Sequence, residues 1–235
     1  MQYRYVTEKQ NYEDYAAGRV ILSMSGGTSF PVRLASEIFQ RCAAYFPDDK
    51  RLSVYDPCCG TGYLLTTIGF LHGDKIAALY GSDINPDAVD FASDNLKLLT
   101  HEGLQNREES LQDLANQFGK QSHQDALDSL NRLREKIPAK AIETSTWRAN
   151  ALELSVPQTV DLIICDVPYG DATEWQITNS ENPLKDLIHV QYDALVDGGI
   201  IAIISDKKQK AAYPQFKRLQ HETAGKRRFT ILQKA

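Results

Sequence analysis

The sequence predicts an α/β protein with a doubly wound, Rossmann-like sheet. Three observations predict it. Short apolar runs alternate with amphipathic helical stretches along most of the 235 residues, three runs end at an aspartate (Asp56, Asp83 and Asp166), and one of these, Val160-Asp161-Leu162-Ile163-Ile164-Cys165, is almost continuously apolar. A strand covered by helices on both faces reads in this last way, and regular strand–helix alternation favours a single parallel sheet.

The first 25 residues are polar and carry no strong periodicity. Gly26-Gly27-Thr28-Ser29 leads into a helix with Pro31 in its first turn, where a missing amide costs nothing, and with Val32, Ala35, Ile38, Phe39 and Cys42 as its apolar stripe. Leu52 to Tyr55 reads as a buried strand, Tyr63 to His72 as a helix, and Ala77 to Ser82 as a second strand ending at Asp83. Asn85-Pro86 opens a helix with Ala88, Ala92, Leu96 and Leu99 on its inward side. A polar insertion over 102–140 follows. Leu111, Leu114 and Phe118 stand at helical spacing before Gly119; Ser122 followed by Asp125 reads as a second helix start, giving a helical hairpin within one domain spanning 1–235. The insertion carries seven acidic and six basic residues, so charge does not single it out as an RNA arm. Ala141 to Trp147 is the expected third strand and Val160 to Cys165 the fourth. Leu184 to Val196 is expected to be helical, Gly198-Gly199 to turn into a strand over Ile200 to Ile204, and Arg228 to Leu232 to form the last strand.

Composition sets limits. Charged residues make up 24% and the hydrophobic set 42%, ordinary for a globular protein, and no apolar run is long enough for a bilayer. Met1-Gln2-Tyr3-Arg4 lacks the apolar segment of a secretory signal, so a cytoplasmic protein without membrane partners is expected. Cys42, Cys58, Cys59 and Cys165 fit no ordinary zinc spacing; reduced thiols and no metal are expected. A net charge of -5 argues against a nonspecific nucleic-acid coat, yet residues 207 to 235 hold nine basic residues and one acidic residue, Glu222. A local basic surface of this kind binds phosphates even on an acidic chain.

Asp56-Pro57-Cys58-Cys59-Gly60-Thr61-Gly62 sits between a strand and a helix, the place where α/β sheets bind ligands at their carboxyl edge. Gly60 and Gly62 let the backbone pass beneath a cofactor, with Cys58 in the same turn and Asp56 organising it. Asp83, 27 residues after Asp56, is placed to accept both ribose hydroxyls, Ile84 to flank an adenine, and Asn150, at the end of the third strand, to meet the adenine edge. The G-x-G-x-x-G dinucleotide fingerprint is incomplete, and G-x-x-x-x-G-K-[ST] is absent. The expected cofactor is S-adenosylmethionine, with S-adenosylhomocysteine as product.

Cys165-Asp166-Val167-Pro168-Tyr169-Gly170 follows the fourth strand and brings a carboxylate, a restrained loop and an aromatic ring toward that cleft. Asp166 and the Val167 carbonyl are placed to hold a planar nitrogen, with Tyr169 stacking on its ring and Pro168 fixing the loop. The predicted chemistry is in-line methyl transfer assisted by positioning. The acceptor set stays open between a nucleobase, an adenine amino group included, and a protein glutamine amide, which presents a similar planar nitrogen. A cysteine attack on a pyrimidine through Cys165 is the weaker route, since Cys165 belongs to the buried strand.

Phe30-Pro31-Val32-Arg33-Leu34-Ala35, Asp56 through Leu65, Arg132-Leu133-Arg134-Glu135 and Asp166-Val167-Pro168-Tyr169-Gly170 together resemble the avilamycin-resistance ribosomal RNA methyltransferase family, and the likeness extends over most of the chain. The resemblance implies a class I S-adenosylmethionine-dependent enzyme that methylates a guanine of 23S ribosomal RNA, free or in the large subunit, and is linked to drug resistance. It also implies that Gly60 and Gly62 bind the cofactor, that Asp166, Pro168 and Tyr169 form the base site, and that Arg33 lies at the cleft rim against RNA or the methionyl carboxylate. Val167 departs from the family pattern, and the chain ends sooner beyond its last strand. A monomer is expected.

Overall fold

The computed structural model describes residues 1–24, 29–153, 156–168, 175, 180–209 and 212–235. Seven strands form one sheet in the order β3-β2-β1-β4-β5-β7-β6. They are β1 (Leu52–Asp56), β2 (Ile76–Asp83), β3 (Glu143–Arg148), β4 (Val160–Asp166), β5 (Leu195–Asp206), β6 (Phe216–Ala224) and β7 (Arg227–Lys234). The first five run parallel, while β7 lies antiparallel between β5 and β6. From β1 the chain steps outward through β2 and β3, then returns to the far side of β1 with β4. In open α/β sheets such a reversal is where ligands bind, at the carboxyl edge.

Strand alternation divides the core. Leu162 and Ile164 of β4, with Ile200, Ala202 and Ile204 of β5, face the helices α1 (Val32–Ala43), α2 (Tyr63–His72) and α3 (Pro86–Lys97). Ile163, Cys165, Ile201 and Ile203 point the other way, where α6 (Pro183–Gln191) and Trp147 cover them. Tyr55 stacks on Trp147 with ring centroids 5.5 Å apart. Each fully buried Ile or Leu here contributes about 1.5–3 kcal/mol.

The insertion is a hairpin of α4 (His101–Phe118) and α5 (Gln121–Arg134), and Leu104, Leu111, Ala126, Leu130 and Leu133 are buried in the first-face core. Its charges brace the N-terminal segment. Arg107 donates to the carbonyls of Arg19 and Val20 at 2.9 and 3.0 Å, and Arg132 pairs with Asp14 at 2.6 Å. The expected start of α5 at Ser122 is corrected. Gly119 closes α4 with its amide on the Ala115 carbonyl, so α5 begins at Gln121 behind Lys120, and Ser122 lies within its first turn. Asn85 does cap α3, accepting the Asp87 amide at 3.0 Å.

Three other expectations change. The helix predicted over Leu184–Val196 stops at Gln191, because the following chain already pairs with β4: the Val160 amide meets the Ala194 carbonyl at 2.8 Å. Gly198 and Gly199 lie inside β5 as a bulge rather than before it; the register jumps from Val160–Leu195 to Leu162–Ile200. Strand β6 was not predicted at all. It is an edge strand with only Phe216 buried and Lys217, Arg218, His221 and Thr223 exposed, so it lacks an apolar face to read.

Beside β6, α1 holds residues 2–7. Glu37, fully buried, accepts the amides of Arg4, Tyr5 and Val6 at 2.7, 3.0 and 3.0 Å, and Arg41 pairs with it at 2.6 Å. Arg41 continues to the Gln2 carbonyl (2.6 Å), to Gln220 (2.9 Å) and to Glu222 (2.6 Å) on β6.

Candidate active site

Strand β1 pairs with β2 on one side and β4 on the other, so the carboxylates ending all three strands meet at the carboxyl edge. Asp56 is buried and accepts the Cys58 amide at 3.0 Å, which tightens the turn. Asp83 accepts the Gly60 amide at 2.9 Å through one oxygen and the Asn85 amide at 3.0 Å through the other. The Cys59 amide donates to the Ser82 carbonyl at 2.9 Å, and the Gly62 amide to the Cys59 carbonyl at 2.8 Å. The turn is thus sewn to the end of β2. Each Asp83 oxygen retains a lone pair for a hydroxyl.

Gly60 and Gly62 adopt left-handed backbone with φ of 51° and 69°. A Cβ on Gly60 would meet nothing within 4 Å, whereas one on Gly62 would stand 3.0 Å from Cα and Cβ of Ala92. Gly60 therefore borders open space and Gly62 permits close packing of α2 on α3. Gly60→Ala should cost only about 1 kcal/mol of stability, the left-handed strain, while lowering cofactor affinity. Gly62→Ala should cost about 2–4 kcal/mol from strain plus overpacking. Thermal unfolding and calorimetric cofactor titration separate the two outcomes.

Burial pushes the Asp56 carboxyl well above the usual carboxylate range, and the nearby charges of Asp166 and Asp83 push the same way against the Cys58 amide. Three acids around one cleft suit a cationic ligand. A sulfonium and an ammonium relieve their repulsion, whereas the pyrophosphate of a dinucleotide adds to it. The Cys165 thiol reaches both Asp56 and Cys58. Burial drives Cys165 far above the ordinary thiol range, which keeps it protonated and inert.

The reacting loop leaves β4 at Asp166, which is half-buried. The Val167 amide donates to the Ile204 carbonyl at 3.0 Å, and its side chain is buried in the second-face core. Val167 thus anchors the loop through both its amide and its side chain. The Pro168 carbonyl accepts Gln209 Nε2 at 3.1 Å, and Gln209 is itself held by the Asp206 amide at 3.1 Å. Tyr169 and Gly170 lie outside the described residues.

The remaining expected residues divide. Ala149 donates to the Asp83 carbonyl at 3.0 Å, bringing the end of β3 beside the cofactor turn, and Ile84 is fixed there by Arg148 on its carbonyl at 3.1 Å. Asn150 caps the next turn, accepting the Leu152 amide at 3.1 Å and donating to Glu153 at 3.3 Å. Arg33, expected at the cleft rim, directs Nε and Nη2 to the Val6 and Thr7 carbonyls at 2.7–3.0 Å, and its guanidinium carbon lies 3.9 Å from the centroid of the Tyr3 ring. Two residues escaped the sequence reading. Gln209 has no sequence signal. Asn95 had one, a polar residue beside Ala92, Leu96 and Leu99 on an apolar stripe. Fully buried, it accepts the Leu22 amide at 2.7 Å and donates to the carbonyls of Leu22 (3.0 Å) and Thr61 (2.8 Å), tying the N-terminal segment to the glycine turn.

The chain is similar to known proteins over nearly its whole length. A 23S rRNA (guanine(2535)-N(1))-methyltransferase of Streptomyces viridochromogenes is 34% identical over 241 residues, covering 99% of this chain and 96% of that protein. The solved structure of the rRNA methyltransferase aviRa from the same organism superposes with a TM-score of 0.88 at 32% identity, covering 99% and 96% of the two chains. TrmN from Thermus thermophilus shares the fold at a TM-score of 0.53 and 18% identity, over 88% of this chain and 50% of that one. The family described as rRNA methyltransferase AviRa matches residues 1–227, and the chain belongs to it.

Proposed function

We propose that the chain transfers a methyl group from S-adenosylmethionine to a guanine of 23S ribosomal RNA, at N1 as the name of its relative specifies. The observation that carries the reading is the meeting of Asp56, Asp83 and Asp166 at one edge, beside open space over Gly60. When bound, the cofactor supplies a methyl on a sulfonium that leaves as a neutral thioether. Asp83 would receive the ribose hydroxyls, the Gly60–Gly62 backbone would underlie the methionyl part and Ile84 would border the adenine, while Asp56 holds the turn. Asp166 accepts the guanine N1–H and takes that proton as the N–C bond forms, and the Val167 carbonyl accepts from the neighbouring amino group. Val167 and Pro168, fixed at Ile204 and Gln209, keep these acceptors in place while the base, extruded from its stack, is held in line.

The chain acts as one monomeric unit, with the 102–140 hairpin as a brace rather than an RNA arm, in the cytoplasm where its RNA is found. No helix among the described residues is long and apolar enough to cross a membrane. The test is transfer of labelled methyl to free 23S RNA, large subunits and protein extract, followed by nucleoside analysis. Label in 1-methylguanosine of large-subunit RNA is expected. Label in protein, or in another nucleoside, overturns the assignment.

A further inference from the structure

The nine basic residues of the last 29 positions are one block in sequence, and the eight of them that are described, all but Lys210, form two groups in space. Strand β7 runs antiparallel to β5, with Arg227 opposite Asp206 and Gln233 opposite Ile200. Its start, the turn from β6, and residues 206–209 therefore all stand at the carboxyl edge, where the cleft opens. Lys217, Arg218 and Lys234 lie toward the opposite edge, since Phe216 pairs with Lys234 and Lys217 with Gln233. At about 3.3 Å per residue, the two ends of β7 are roughly 23 Å apart. Lys234 is also committed, donating to the Leu195 carbonyl at 2.7 Å.

The carboxyl-edge group is joined to the reacting loop. Asp166 is level with Ile204, so Asp206 stands two residues, about 7 Å, beyond the end of β4. From there Gln209 reaches back to the Pro168 carbonyl at 3.1 Å, and Arg228 donates to the Gln209 carbonyl at 3.4 Å. Lys207, Lys208 and Lys226 are exposed, and with Arg228 they form no ion pair among the described residues. Glu222, the acid of this block, is turned toward Arg41 and Arg4.

We propose that Lys207, Lys208, Lys226 and Arg228 form a phosphate-binding shelf that seats the RNA backbone flanking the target nucleotide, and that Lys217, Arg218 and Lys234 take no part. The proposal rests on the RNA-methylating function above. Cations beside the acidic cleft give a polyanion a landing place that the cleft itself repels. Arg228 and Gln209 connect that shelf to the loop that holds the base.

The test compares the full-length triple variant K207Q/K208Q/K226Q with the control K217Q/R218Q. Methyl transfer to large-subunit RNA is measured over a range of KCl concentrations, together with calorimetric titration of S-adenosylmethionine. The triple variant should raise the KM for RNA about tenfold and flatten the slope of log affinity against log salt by about two, with kcat and cofactor affinity unchanged. The control should match the wild type. Equal effects in the two variants, or a larger one in the control, overturn the shelf while leaving the function standing. A wild-type chain that binds S-adenosylmethionine but methylates no RNA overturns both.

Discussion

Asp166→Ala should slow methyl transfer by about 10²–10³-fold while leaving S-adenosylmethionine affinity within about threefold of wild type. The carboxylate stands at the end of β4, where the reacting loop begins, and the proposed reaction asks it both to orient the base and to accept a proton. Its removal takes away an acceptor used only when the base is present, so the loss falls on kcat rather than on donor binding. The cofactor turn is held by Asp56 and Asp83 through the amides of Cys58, Gly60 and Asn85, none of which depends on Asp166. Single-turnover transfer and calorimetric titration of the same preparation check both halves. Cys165→Ser provides the contrast. A serine hydroxyl can still donate to Asp56, so activity should persist, and its abolition would instead favour a cysteine adduct.

Arg41→Ala should destabilise the protein by about 3–5 kcal/mol, because it leaves the fully buried Glu37 without its cationic partner. Burial alone would raise the Glu37 carboxyl, but the amides of Arg4 and Val6, the Arg41 guanidinium and the Tyr5 amide outweigh it and hold it below its ordinary range. A carboxyl whose folded value is depressed contributes stability that is fully present above its unfolded value, 4.5, and that is lost as pH falls through the folded value. In Arg41→Ala the main counter-charge is gone, so the acid-induced loss should begin at higher pH. Urea denaturation between pH 3 and pH 7 measures both the magnitude and the shift. Unchanged midpoints at every pH would show that water or Arg4 replaces the guanidinium.

Most of the strand–helix order was legible because burial leaves its period in the sequence. Helix α2 begins and ends where its apolar spacing begins and ends, and Asp56, Asp83 and Asp166 each mark a strand terminus. Strand β6 left no such trace, since an edge strand with polar residues on its open side reads as a loop until β7 supplies its partner. The site divides in the same way. Its turn residues are adjacent in sequence and announce themselves. Asn95 and Gln209 act on carbonyls 34 and 41 positions away, and a single glutamine in a basic stretch has no pattern that betrays such a reach. Arg33 shows the converse. A residue assigned to the cleft rim by resemblance also directs Nε and Nη2 onto Val6 and Thr7, in a segment too polar to reveal where it docks.

The clamp around Arg41 also couples two distant parts of the chain. One guanidinium touches residue 2 and, 179 and 181 positions along the chain from itself, residues 220 and 222. Fraying of residues 2–7 and fraying of β6 should therefore be linked, since each exposes the same buried cation.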